Sequence, residues 1–346
     1  MFSPDYFAAR DRFRRASGAR VHALALDARG PRDETLTIDI AWLGDPAAQR
    51  VLLVTSGIHG VEGYAGSAVQ SAFMATKVEP LPGTAVALVH ALNPWGFAHL
   101  RRVNENNVDL NRNFLDASDA YCGAPDEYRM LDPLLNPPSL PAADGFHLRA
   151  GCYALRYGFD PLRRAVAAGQ YEFERGLFFG GKRREQSAAI FLGWLAERCP
   201  RVERLLALDL HTGIGPFAAM TLLAENDTSP EHLASVASAL AVPLVHGAAV
   251  EGAGAYRVRG SMLGMLKKAL SGARVDAVTV EFGTFGSLRI VHALREENRW
   301  HHYGSGSSAH PAKRRLAAVF NPDLARWRNA IIAQGTQLLA RAAAAL

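Results

Sequence analysis

The sequence predicts an α/β protein: one αβα domain with a mostly parallel, twisted, mixed central sheet that helices cover on both faces. Strand-like apolar runs alternate along the chain with helical patterns, an order typical of parallel sheets buried between helices. The 346 residues also contain no internal repeat and no Gly/Ser-rich linker. We therefore expect residues 1–346 to form a single domain.

Four elements are predicted in the first hundred residues. Residues 36–43 alternate between apolar and polar side chains, which indicates a half-buried strand, whereas residues 50–56 are largely apolar and indicate a fully buried strand. Residues 63–77 are rich in alanine and end before a proline, which favours a helix. Residues 84–92 form a second apolar run and predict another buried strand.

The alternation continues in the second half of the chain. Further strands are predicted at residues 204–210, 220–224, 242–245 and 277–282, and helices at residues 187–198, 230–240, 261–270 and 322–344. Between the two halves lies a stretch rich in Pro, Asp and Asn without clear periodicity. It predicts a loop-rich insertion at about residues 115–150, which is either a surface loop or part of the rim of a site.

Composition excludes several classes of protein. With 49% hydrophobic and 21% charged residues, the chain has the balance of a globular protein. Its longest apolar runs fall far short of the roughly 20 residues that cross a bilayer, so we expect no membrane partner. The net charge of +5 is spread along the chain without a nucleic-acid reader motif, so we expect no nucleic acid partner. The charged N-terminal segment is unlike a secretory signal, and we expect a cytoplasmic protein.

The first candidate site follows the strand at residues 50–56. His59 and Glu62 lie three residues apart on a glycine-rich turn at the carboxyl end of that strand, where α/β sheets collect their ligand-binding groups. An imidazole and a carboxylate at this spacing can bind one zinc ion. The pair alone is weak evidence, because the chain contains 12 histidines and such spacings arise by chance.

Two further strand ends carry ionisable residues. His211 follows the apolar run at residues 204–210, where it is either a structural histidine or a third ligand that completes a His₂Glu zinc site with an open fourth position. Glu281 ends the apolar run at residues 277–282, where a carboxylate is costly unless it has a partner or a function. Beside a zinc-activated water, Glu281 would act as the general base.

The segment Val108-Asp109-Leu110-Asn111-Arg112-Asn113-Phe114 makes the pattern specific. The order of the HxxE pair, an arginine-bearing loop leading into this segment, a strand-end histidine and a strand-end glutamate resembles the carboxypeptidase A-like zinc metallopeptidase superfamily. That superfamily includes an aspartoacylase and succinylglutamate desuccinylase branch. The separation of 70 positions between His211 and Glu281 also fits it. We expect the nearest relatives to be an uncharacterised bacterial subgroup known only as a domain of unknown function.

The resemblance implies a role for each matching residue. His59, Glu62 and His211 would bind one Zn²⁺ per chain, and Glu281 would take a proton from the activated water and pass it to the leaving nitrogen. The resemblance also implies that Asp109 would accept the second ring N–H of His59. Asn111 and Arg112 would bind the substrate carboxylate. An upstream arginine would stabilise the oxyanion, and we choose Arg102 over Arg101 for this role. Asp109 is alternatively a helix N-cap, and Asn111 and Arg112 alternatively stabilise a loop.

One position of the family pattern is less well matched. The peptidases use a mobile tyrosine upstream of the catalytic glutamate, and Tyr256, 25 residues before Glu281, is the nearest candidate. It is equally an ordinary packed aromatic residue. The leading hypothesis is a carboxypeptidase-type zinc metallopeptidase that cleaves an amide bond next to a free carboxylate in a small peptide. The alternative is a deacylase of N-acyl amino acids, and a non-catalytic binding module is ranked last because all four zinc-site residues are present.

Overall fold

The computed structural model describes residues 1–18, 21–140, 144–158, 168–225, 228–246, 259–305 and 310–346. Within these residues the chain forms one eight-stranded sheet and eleven helices. The strands are β1 (Val21–Arg29), β2 (Thr35–Gly44), β3 (Arg50–Ser56), β4 (Thr84–His90), β5 (Arg204–Gly213), β6 (Met220–Ala224), β7 (Leu244–His246) and β8 (Arg274–Gly283). The helices are α1 (Tyr6–Ser17), α2 (Gly63–Ala75), α3 (Pro94–Ala98), α4 (Asp126–Leu135), α5 (Phe146–Tyr157), α6 (Gln186–Arg198), α7 (Pro230–Leu240), α8 (Met262–Ala269), α9 (Ser287–Tyr303), α10 (Pro311–Phe320) and α11 (Ala325–Ala344).

The sheet is mixed, in the order β1-β2-β4-β3-β5-β8-β6-β7. Parallel pairing joins β4 to β3, β3 to β5, β5 to β8, and β6 to β7, whereas β1–β2, β2–β4 and β8–β6 are antiparallel. The predicted mostly parallel, mixed sheet is confirmed. Because β3, β5 and β8 run parallel side by side, the residues that follow them meet at one edge of the sheet.

Helices cover both faces of the sheet, as predicted. On one face, α2 and α11 pack against the strands through a cluster that includes Val69 and Trp327. On the other face, α6 and α8 pack through a second cluster that includes Phe191 and Leu266. All of β4 and all of β3 after Arg50 are buried, which explains why these two strands read as continuous apolar runs rather than as alternating ones.

The prediction that residues 36–43 form a half-buried strand is wrong in its burial. In β2 the residues from Leu36 to Ala41 are all buried, including the polar ones. Helix α1, which the sequence patterns did not predict, covers this strand and supplies hydrogen-bond partners: Tyr6 Oη donates to the backbone carbonyl of Thr37 (2.9 Å), and Arg14 Nε donates to the Asp39 side chain (2.6 Å). Polar alternation therefore marks buried hydrogen bonds in this strand rather than contact with solvent.

Two helices, α4 and α5, lie within or overlap the stretch predicted to be a loop-rich insertion at about residues 115–150. Helix α10 was not predicted, and of α9 the sequence indicates as helical only the charged stretch at residues 295–300. Helix α9 follows β8 after three residues and packs against α10. Every helix in the described part of the chain is too short or too polar to cross a bilayer.

Candidate metal centre and active site

Three potential metal ligands lie together at the carboxyl edge of the sheet. His59 follows β3, Glu62 ends a short 3₁₀ turn, and His211 lies near the end of β5. One ligand atom from each lies within 4.8 Å of the others, and all three side chains are buried. The fold therefore assembles the three ligands predicted from the sequence, and no other such group of His, Cys, Asp or Glu occurs among the described residues.

Both histidines turn their Nδ1 atoms towards one carboxylate. His59 Nδ1 lies 2.9 Å from Glu62 Oε1, and His211 Nδ1 lies 3.2 Å from Glu62 Oε2. His59 Nδ1 is buried and has no hydrogen-bond partner of suitable geometry among the described residues. A buried polar atom without a partner is costly, and a cation between these atoms would satisfy it. Two imidazole nitrogens and a carboxylate thus fit a divalent metal ion.

The other ring nitrogen of each histidine lies against an aspartate. His59 Nε2 is 3.1 Å from Asp109 Oδ1, and His211 Nε2 is 2.6 Å from Asp209 Oδ2. A carboxylate acceptor favours the tautomer with a proton on Nε2, which leaves the Nδ1 lone pair for a metal. Asp209 was not predicted as a site residue. Residues two apart in a strand share one face, so the Asp-x-His spacing was an available signal for it.

Asp109 combines the two roles that the sequence left as alternatives. Its Oδ1 accepts the backbone N–H of Asn111 (3.1 Å) and so caps the 3₁₀ turn Leu110–Arg112, while the same carboxylate faces His59. Burial alone would raise the pKa of Asp109, but Arg102 and His59 hold it well below its usual value. The carboxylate is therefore charged and can accept a hydrogen bond from His59.

Of the two neighbouring arginines, Arg102 reaches the cluster. Its Nη1 donates to Glu62 Oε1 (2.9 Å), and its Nη2 lies 2.8 Å from His59 Nε2. The second contact is a hydrogen bond only when Nε2 carries no proton, so it competes with the bond from His59 to Asp109. Arg101 is buried elsewhere, against Glu297.

Glu281 lies beside the three ligands. It is directly opposite His211 in the parallel pairing of β8 with β5, and its Oε2 accepts the backbone N–H of Ile214 (3.4 Å). Burial raises the pKa of Glu281 to about 8 and outweighs the opposing effect of His211. A carboxyl group whose pKa is near neutrality can both take up and release a proton at working pH.

Asn111 and Arg112, the predicted carboxylate-binding pair, differ in how far the surrounding residues satisfy their side chains. Asn111 Oδ1 accepts the backbone N–H of Met262 (3.1 Å), which ties the 3₁₀ turn to the start of α8. Arg112 is 8% exposed, and its Nε is buried without a partner among the described residues. Both side chains thus have a structural contact, since Arg112 Nη1 donates to the Asn111 carbonyl oxygen (2.8 Å), but Arg112 Nε remains without a partner. Tyr256 lies outside the described residues.

Comparisons with known proteins agree with this architecture. Residues 2–334 match the family described as "Protein of unknown function (DUF2817)". This match confirms the expectation of a subgroup known only as a domain of unknown function. The chain has no match among curated protein sequences.

Three solved structures are similar in fold. The thrombin activatable fibrinolysis inhibitor (TAFI) is 11% identical, with 98% of this chain and 72% of that chain covered and a TM-score of 0.50. Carboxypeptidase A from Helicoverpa armigera is 13% identical over 90% of this chain and 71% of that chain, with a TM-score of 0.45. Murein-tripeptide amidase MpaA from Escherichia coli O157 is 18% identical over 83% of this chain and 96% of that chain, with a TM-score of 0.42. At such identities the likeness concerns the fold alone.

Proposed function

The chain belongs to the DUF2817 family, and we propose that it is a zinc-dependent hydrolase of carboxypeptidase type, cleaving an amide bond next to a free carboxylate in a small peptide. The observation that carries this proposal is the buried His59–Glu62–His211 cluster with Glu281 beside it. We further propose that residues 1–346 act as one catalytic domain, because the ligands lie at the carboxyl edge of a single sheet.

In this proposal His59 and His211 would hold the zinc through Nδ1, and Glu62 would hold it through its carboxylate. Zinc, when bound, would supply a Lewis acid that activates water and polarises a carbonyl group. Asp109 and Asp209 favour the tautomers with a proton on Nε2, which leaves both Nδ1 lone pairs free for the ion.

Glu281 moves the proton. The elevated pKa of its buried carboxyl suits a group that accepts a proton as water attacks the amide and then donates it to the leaving nitrogen. Its backbone partner, Ile214 N–H, orients the carboxylate from the end of the neighbouring strand.

Two arginines would bind the charged parts of the substrate. Arg112 is buried and keeps an unpartnered Nε, which supports its assignment to the free carboxylate of the substrate. Arg102 lies against Glu62 and His59, close enough to the ligands to stabilise negative charge that develops on the attacked carbonyl oxygen.

Metal content and a substrate screen test the proposal together. The purified protein should contain about one zinc per chain, and His59→Ala should lose it, because the site then has only two of its protein ligands. The screen compares peptides with a free C-terminus, the same peptides amidated, and N-acyl amino acids. Hydrolysis of N-acyl amino acids alone would replace the peptidase assignment with a deacylase. A wild-type protein that takes up no zinc would overturn the proposal.

A further inference from the structure

A buried ionic cluster lies behind the proposed site. Arg101 is 1% exposed, and its Nε donates to both carboxylate oxygens of Glu297 on α9 (3.0 and 3.1 Å). Lys313 Nζ donates to the same carboxylate (2.8 Å), and Arg101 Nη2 donates to the side chains of Asn107 and Asn298 (3.0 and 2.9 Å). Removing these charges from water costs several kcal/mol per ion unless each is paired. Because pairing often only offsets this cost, a buried ionic cluster is weak evidence of a stabilising role and leaves room for another function.

The cluster touches the backbone that supports the ligands. Arg101 belongs to a segment whose carbonyl groups accept the N–H groups of the ligand-bearing turn: Gly60 N donates to Arg102 O, and Val61 N donates to Arg101 O, both at 3.0 Å. These two hydrogen bonds lie between His59 and Glu62 in the sequence. The position of residues 101–102 therefore sets the position of both ligands.

The turn at residues 59–62 and the segment at residues 96–102 pack too closely to move independently. A Cβ atom on Gly60 would lie 2.1 Å from the carbonyl carbon of Gly96 and 2.5 Å from Arg101 O, so the backbones are in direct contact. A shift of residues 101–102 would be passed directly to the His59–Glu62 turn, and it would move the Arg102 side chain as well.

We propose that Glu297 is a positioning residue of the active site: by holding Arg101, it places the Arg102 guanidinium and the His59–Glu62 turn in register for metal and substrate. This inference rests on the proposed function. The pair joins residues 196 apart in sequence, so α9, which follows the strand that carries Glu281, is tied to the turn that carries the other ligands.

The test is Glu297→Gln, which keeps the shape of the side chain but removes its charge. Zinc affinity is measured by competition with a chelator. The values of kcat and KM are measured with the peptide that the wild type hydrolyses best in the screen, and Tm is measured by circular dichroism. Glu296→Gln is the matched control, since Glu296 is the adjacent buried carboxylate on α9 but bonds Arg295 and Arg299 instead of Arg101.

A second variant covers the case in which unpaired buried cations prevent folding. Glu297→Gln combined with Lys313→Met removes one negative and one positive charge, so the net charge of the cluster is unchanged. All four proteins, wild type included, are compared below their Tm values, where each is folded.

We expect zinc affinity and kcat each to fall by about tenfold or more in both Glu297 variants, as for other residues that orient metal ligands. KM should change little, because Arg102 is assigned to charge that develops only in the transition state. Glu296→Gln should lower Tm and leave zinc affinity and kcat unchanged. Glu297 variants with wild-type zinc affinity and kcat but a lower Tm would show a purely structural role and overturn the inference while leaving the proposed function intact. A wild type that binds no zinc would overturn both.

Discussion

Replacing Asp209 with Asn should weaken zinc binding through His211. Asp209 is 1% exposed, and its carboxylate lies 2.6 Å from His211 Nε2. Hydrogen bonds to charged groups contribute about 1.5–3 kcal/mol. Since each 1.4 kcal/mol is tenfold in affinity, the loss should be roughly 10- to 150-fold. This range agrees with the roughly 10- to 100-fold losses of metal affinity or activity that follow when the partners of metal-bound histidines are removed.

The assay is a zinc titration against a chelator of known affinity, with circular dichroism to show that the variant is folded. Asp39→Asn is the control, because Asp39 is an equally buried carboxylate of the same sheet, but its partners are Arg10, Arg14 and Thr37. It should lower stability without affecting zinc affinity. If folded Asp209→Asn protein binds zinc as tightly as the wild type, the assignment of Asp209 as the partner that orients His211 is wrong.

Three further predictions concern the same site. Glu281→Gln should keep its zinc but lose about 10²- to 10⁴-fold in kcat, because only the proton carrier is removed; near-normal turnover would refute the mechanism. Arg112→Ala should raise KM for peptides with a free C-terminus and have little effect on amidated ones, and equal effects on both would exclude carboxylate binding. Although burial opposes it, Asp209 and Glu62 raise the pKa of His211 well above its usual value. Zinc must therefore displace a proton at neutral pH, and its affinity should rise with pH; calorimetry in buffers of different ionisation enthalpy should detect proton release, and its absence would contradict this.

The fold class and the grouping of the candidate ligands at one edge of the sheet were predictable because they depend on local patterns. Apolar runs separated by helical segments indicate a parallel sheet, and the carboxyl ends of parallel strands meet at one edge whatever the details of packing. His59, Glu62, His211 and Glu281 each follow or end such a run, so their convergence follows from the strand assignment.

Burial was less predictable where a second segment decides it. Thr37 and Asp39 alternate with apolar residues as in a half-exposed strand, yet α1 covers them and supplies their partners. No pattern within β2 reveals that cover, because it is provided by residues some 25 positions earlier in the chain.

The sequence by itself determined the α/β fold, because the alternation of strand and helix patterns follows from periodicity. It also placed four ionisable residues at strand ends, but their role as a zinc site was implied only by the resemblance to the carboxypeptidase A-like superfamily. The resemblance favoured Arg102 over Arg101, but only the tertiary structure shows the physical reason why Arg102 faces the ligands. Arg101 and Arg102 are adjacent and chemically identical, but Glu297, 196 residues further along, binds Arg101 and leaves Arg102 to face Glu62. The position of each arginine side chain depends on contacts between segments that are distant in sequence, because a buried charge is stable only beside a partner of opposite charge.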